Sequence, residues 1–314
     1  FSVFNSQFSV PKTPLPTHTA LMFAGTHTAI VTPFQNGKLD EVALKRIVDL
    51  QFDGGVTGIV PCGTTGESPT LDYDEHERVI QLAVEYAKGR GVVMAGTGSN
   101  STREAVELTE EAEKAGATAI LQVAPYYNKP TPEGLYQHFK AVAECTKLPI
   151  MLYSIPGRCG IEIGLDVLVR LVENCPNIRA IKEAGGNPER VNQMKQVLPA
   201  SFEILSGDDS LTLPFMAVGA VGVVSVASNI IPGPISQMVQ HALKGDYASA
   251  QALHHRYYPL LAAFLKLSTN PIPIKTAMAL AGHCSGELRL PMTGMEPSKV
   301  DELAATLRKL GLIA

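Results

Sequence analysis

"NIRAIKEAGGN" occupies residues 177–187, and the reading of its one lysine decides the fold. Residues 178–183 (IRAIKE) read as a short buried strand. Side chains alternate across a strand, so Lys182 shares a face with Ala180, while Arg179 and Ile181 look the other way. If the strand belongs to a closed barrel, the Lys182 face is the interior, and the lysine stands at the carboxyl end where such barrels keep their sites.

Seven further apolar segments support that setting: 28–32, 58–61, 92–96, 119–123, 150–154, 203–206 and 222–226. The eight starts fall 19 to 34 residues apart, which leaves room for one helix in each gap. Leu44, Ile47 and Val48, then Ala105, Leu108 and Ala112, then Leu165, Leu168, Val169 and Val172 follow helical stripes, and Gly116 reads as a helix stop. Strands apolar throughout indicate a parallel sheet buried on both faces. The prediction is an α/β (β/α)8 TIM barrel over residues 22–245. The competing open doubly wound sheet would carry a Gly-rich dinucleotide fingerprint after its first strand, and "TAIVTPFQNGKLD" has none. After Gly245 the pattern turns purely helical, which predicts a C-terminal helical domain over residues 246–314. Residues 1–21 lack the charged start and continuous apolar core of a secretory signal and are expected to be a leader outside the fold.

Composition narrows the function. The 314 residues are 45% hydrophobic with a net charge of −4, which supplies no basic face for nucleic acid or an anionic membrane. No apolar run reaches the ~18 residues of a bilayer span. Five cysteines, odd in number and scattered, make neither a disulfide framework nor a zinc site, and fit a reducing, cytoplasmic setting. The dispersed histidines give no metal-binding face, so no metal is expected.

The chemistry should lie at strand ends. An ammonium buried at Lys182 without a partner costs several kcal/mol. One remedy is an ion pair, with Glu183 as the nearest carboxylate; the other is loss of the proton, which leaves the free amine that attacks a ketone. In "PCGTTGES" (61–68), Gly63 and Gly66 permit a tight turn whose amides, with the hydroxyls of Thr64 and Thr65, suit a small carboxylate. An N-cap turn is the plain alternative, and the lysine of a Walker loop is missing. "VAPYYNKP" (123–130) supplies Tyr127, and "MLYSIPGRCG" (151–160) supplies Tyr153 and Arg158. A tyrosine hydroxyl can relay protons and a guanidinium can grip a carboxylate by two parallel bonds. Each alone could be rim packing or surface charge; together they describe a pocket for an anionic keto acid.

The ordered motifs GTTGES, PYYNKP, LYSIPGR, IKEAGGN, SGDD and GVVSV resemble those of the dihydrodipicolinate synthase family, in the pyruvate-dependent class I aldolase and N-acetylneuraminate lyase superfamily. The likeness runs from Phe23 to the last helix. It implies a lyase of lysine biosynthesis by the diaminopimelate route, joining pyruvate to L-aspartate 4-semialdehyde. It implies that Lys182 forms the imine, that Tyr153, Thr65 and a neighbouring subunit's Tyr127 relay protons, and that Thr64 and Thr65 hold the pyruvate carboxylate. The backbone near Val224 would close the pocket and Arg158 would receive the second substrate. It further implies a homotetramer built as a dimer of dimers, with no cofactor beyond the Lys182 imine and no metal. An L-lysine inhibitor site would comprise Ser68, Pro69, Tyr73, His76, Asn100, Glu104 and Tyr126. Pro69 and Tyr73 depart from the alanine and histidine of inhibited bacterial members. The nearest rival is N-acetylneuraminate lyase or a 2-keto-3-deoxy sugar-acid aldolase, which shares the lysine and Tyr153. A phosphate- or flavin-binding barrel is a second rival, opposed by Asp208 and Asp209 in the loop after strand seven. A non-catalytic ligand-binding barrel is the third.

Overall fold

The structure is a computed structural model that describes residues 21–314; apart from Leu21, the expected leader at 1–21 lies outside the described residues. Eight parallel strands close into a barrel: β1 (Gly25–Ala29), β2 (Gly58–Val60), β3 (Val92–Gly96), β4 (Ala119–Val123), β5 (Ile150–Ser154), β6 (Ile178–Glu183), β7 (Glu203–Ser206) and β8 (Gly222–Ser225). The last strand closes onto the first, with Gly25 opposite Gly222 and His27 opposite Val224. At Gly222 a side chain has no room, because a Cβ there would lie 1.9 Å from the Gly25 carbonyl oxygen.

Alternation sorts the side chains into two cores. Leu121, Met151, Ala180, Leu205 and Val224 pack inside the barrel with Phe23, Val60 and Met94. Their chain neighbours Ile120, Leu152, Ile181, Ile204 and Val223 pack outward against the helices. Each fully buried aliphatic side chain of this size contributes about 1.5–3 kcal/mol, so a one-residue slip in any strand would exchange two packed layers. Lys182 is therefore inward by the same parity that places Ala180 and Leu205.

Seven strands begin where the apolar pattern puts them. The first is the exception: expected at 28–32, it spans Gly25–Ala29. Within it, Thr28 donates to Gln51 at 2.8 Å and His27 Nε2 meets the Phe23 carbonyl at 3.0 Å. The apolar Ile30 and Val31 lie just past its end, where the Val31 amide donates to Asn229. At the amino-terminal mouth, Glu203 accepts from the Met22 and Phe23 amides, both at 2.8 Å.

A capping box between Asp72 and Glu75 starts the helix Tyr73–Ala87 that follows the β2 turn. Beyond the barrel, helices Tyr247–Lys266, Ile272–Leu280 and Pro297–Lys309 complete the chain. No helix among the described residues is long and apolar enough to cross a membrane.

Candidate active site

A cavity of about 740 Å³ opens at the carboxyl ends of the strands, with Lys182, Tyr153, Thr64, Thr65 and Arg158 in its wall. β5 and β6 set Tyr153 beside Lys182 in register, and the lysine Nζ lies 4.0 Å from the centroid of the tyrosine ring. Lys182 is 6% exposed. Burial pulls its pKa down from 10.5 to about 7, reinforced by Arg158 and opposed by Asp209. Burial thus favours the neutral amine.

The ion-pair alternative fails on geometry. Glu183 turns outward, where it accepts from the Gly185 amide at 2.7 Å and lies 3.8 Å from Arg190 Nε. Asp209 is likewise committed, to the Ser225 hydroxyl and to the amides of Val226 and Ala227, both at 2.9 Å. The lysine keeps only an aromatic face and a more distant charge. Gly207 makes room for it, since a Cβ there would stand 3.1 Å from Lys182 Cε and 2.6 Å from Ala184 Cβ.

The turn after β2 is tightly drawn. Gly63 O accepts from the Gly66 and Ser68 amides at 3.0 and 3.3 Å. A side chain at Gly66 would press at 3.2 Å on the Cys62 nitrogen, the Ile30 oxygen and the Thr32 hydroxyl. Among the described residues the Thr64 and Thr65 amides make no hydrogen bond, which leaves them free for an anion in the cavity.

The structure alters two expectations. Thr65 does not meet Tyr153: its hydroxyl accepts from Asn270 Nδ2 at 3.0 Å, and the hydroxyl beside Tyr153 is that of Thr64. Val224 lies in the barrel core below the cavity, and Val226 is the residue that lines it, held there by Asp209. Tyr127 is 90% exposed and takes no part in its own chain's cavity. Tyr127 has a left-handed backbone (φ 74°) within a turn fixed by the Asn128 amide to Tyr126 O at 2.9 Å and Asn128 Nδ2 to Asn100 O at 2.8 Å. Burial pushes the Tyr153 phenol well above its ordinary range, with Arg158 and the Thr64 hydroxyl opposing. Arg158 donates to the Asn270 carbonyl at 3.0 Å.

Asn270 is the residue that sequence reasoning missed. It bridges Thr65 and Arg158 from a segment 205 residues beyond the first of them, and nothing local marks it. Gly207 and Asp209 were visible in SGDD as a motif, without the roles that packing gives them.

A second cavity, of about 180 Å³, gathers Ser68, Pro69, Tyr73, His76, Glu104 and Tyr126. Asn100 adjoins it through a 3.2 Å bond to the Tyr126 carbonyl. Glu104 is doubly engaged, by Tyr73 Oη at 2.9 Å and by the Ser99 hydroxyl. Burial keeps His76 below its usual pKa, so its neutral ring donates from Nε2 to Gly96 O at 2.9 Å. Ser68, Gly96 and Gly98 line both cavities. Among the described residues no group of three or more His, Cys, Asp or Glu side chains could hold a metal ion.

The profile of the Dihydrodipicolinate synthetase family matches residues 22–310. A 4-hydroxy-tetrahydrodipicolinate synthase from a Sulfurihydrogenibium species is 52% identical over 293 residues, 93% of this chain and 100% of the relative. The crystal structure of a chloride-inhibited dihydrodipicolinate synthase from Acinetobacter baumannii, complexed with pyruvate, is 40% identical with a TM-score of 0.90, covering 93% of this chain and 100% of that one. The structure of the enzyme from Cyanidioschyzon merolae with lysine bound is 39% identical with a TM-score of 0.90, covering 94% and 100%. A buried lysine in a barrel mouth suits many aldolases, but the lysine, the turn and the full-length matches agree on one lineage: the chain belongs to the dihydrodipicolinate synthetase family.

Proposed function

We propose that this chain is a lyase that condenses pyruvate with L-aspartate 4-semialdehyde to (4S)-4-hydroxy-2,3,4,5-tetrahydrodipicolinate. The observation that carries the reading is the inward Lys182 amine, brought to a pKa of about 7 in a cavity with free turn amides. The neutral amine attacks pyruvate C2, and loss of water gives the iminium. That cation accepts the electron pair left when a C3 proton departs, so the lysine is the electron sink and no further cofactor or metal takes part. The resulting enamine attacks the aldehyde carbon. The product's own amino group then displaces Lys182 from C2, closing the ring and freeing the enzyme.

The Thr64 and Thr65 amides hold the pyruvate carboxylate and Arg158 the second carboxylate. Tyr153, which keeps its proton at neutral pH, donates and recovers it during imine formation and release. The Thr64 hydroxyl beside Tyr153 takes the relay place expected of Thr65, which Asn270 holds, with Tyr127 supplied by a partner subunit. The 90% exposure of Tyr127, outside its own chain's cavity, supports that exchange, and a homotetramer built from dimers belongs to the same proposal. L-Lysine is assigned to the second cavity, where its ammonium has to take Glu104 from the Tyr73 hydroxyl. A cytoplasmic site of action belongs to the same proposal.

Incubation with pyruvate and borohydride should add one reduced pyruvyl group at Lys182, and turnover should require aspartate semialdehyde. An unmodified Lys182 in active protein, or preference for N-acetylneuraminate cleavage, would overturn the assignment.

A further inference from the structure

Glu67 closes the turn that carries Thr64 and Thr65, yet no step above uses it. It is 3% exposed, and its backbone is left-handed (φ 55°, ψ 36°), a strained state for a residue with a side chain. Both carboxylate oxygens are held from the far end of the chain. Oε1 accepts from Lys275 Nζ at 2.5 Å, and Oε2 accepts from the Arg289 amide at 3.1 Å. Lys275 is fully buried and also donates to the Glu287 carbonyl at 2.6 Å. The Lys275 ammonium and the Arg289 guanidinium lie 4.2 and 4.1 Å from the centroid of the same Phe34 ring. Arg289 binds Glu75 through two nitrogens and the Thr70 carbonyl at 2.9 Å, which fixes the segment on both sides of the turn's exit.

Stability alone does not explain this arrangement, because a buried ion pair can usually be exchanged for apolar residues of similar volume without loss. Direction does explain it: gripping both oxygens fixes the Glu67 side chain and, through it, the left-handed backbone that sets the path of the preceding residues. We infer that Lys275 and Arg289 are positioning residues: Lys275 Nζ and the Arg289 amide hold Glu67 while the Arg289 guanidinium holds Thr70 and Glu75 at the turn's exit, and together they keep the Thr64 and Thr65 amides aimed into the cavity, so that the C-terminal segment completes the keto-acid carboxylate site. The inference rests on the functional reading above for what those amides bind.

The test replaces the pair together, Glu67→Gln with Lys275→Met, since either change alone strands a buried charge. Arg289→Gln, at a partly exposed side chain, is the second arm should the double variant not fold. Three quantities are compared with the unaltered chain: melting temperature, hydrogen exchange of residues 62–70, and the pyruvate dependence of borohydride trapping at Lys182. The expected result is a melting temperature within a few degrees. Exchange in the turn should be at least tenfold faster, with the barrel strands unchanged. Half-saturating pyruvate should rise about tenfold or more, and the trapping rate at saturation should change less than threefold. Arg289→Gln should move exchange and half-saturation in the same direction by a factor of about three. A folded double variant, or a folded Arg289→Gln protein, with unaltered exchange and half-saturation overturns the inference. If the unaltered chain does not trap pyruvate, the functional reading falls instead, and the exchange measurement alone decides the role of the pair.

Discussion

Two lysines are buried among the described residues, and they have opposite characters. Lys182 and Lys275 each lie about 4 Å from the centroid of an aromatic ring, Tyr153 for one and Phe34 for the other, and burial lowers the pKa of both. Lys275 has a carboxylate in hydrogen-bond contact and a carbonyl beside it. Lys182 has neither, because Glu183 faces the helices and Asp209 is bound to the loop after β8. Burial alone therefore does not decide how a lysine amine is held; the presence or absence of a bonded counter-charge does.

The largest test of that contrast is covalent. Lys182→Ala should abolish trapping and lower turnover by about a thousandfold or more, while mass spectrometry of the unaltered protein should find Lys275 unlabelled. A label on Lys275 would end the comparison. Next comes Gly207→Ala, whose Cβ would crowd Lys182 Cε at 3.1 Å. We expect kcat to fall at least tenfold, measured at saturating substrates, with the fold intact by circular dichroism.

The pH dependence is gentler. The rate of imine formation at low pyruvate should climb as pH rises through about 7, where Lys182 loses its proton, and then level off. The same shift sets a stability slope. The folded pKa lies below the unfolded 10.5, so between about pH 7 and 10.5 the unfolded chain holds the extra proton, and stability rises with pH across that window. Lys182→Met should raise the melting temperature by a few degrees at pH 6, with the gain vanishing near pH 10.5. An equal gain at both values would show that the lysine is not strained by its charge. The smallest expected effect concerns the second cavity. Tyr73→His frees one oxygen of Glu104 and should tighten L-lysine inhibition severalfold, read from the half-inhibitory concentration.

The sequence carried the barrel because its strands are apolar on both faces and recur at helix-sized intervals. It carried Lys182 because strand parity needs no tertiary information. It misplaced β1, whose polar Thr28 finds its partner only once Gln51 arrives. Asn270, Lys275 and Arg289 were silent for the same reason: each meets the β2 turn across more than 200 residues, and no local periodicity encodes such a meeting. Tyr127 was legible as a motif residue, while its outward aim depends on a turn conformation that only the backbone reveals.

Ser68, Gly96 and Gly98 belong to the walls of both chambers. Linkage through shared walls runs equally both ways. Whatever factor an occupant of the small chamber imposes on affinity in the large one, the large chamber's ligand imposes on that occupant, so the occupant's apparent affinity becomes a gauge of how full the large chamber already is.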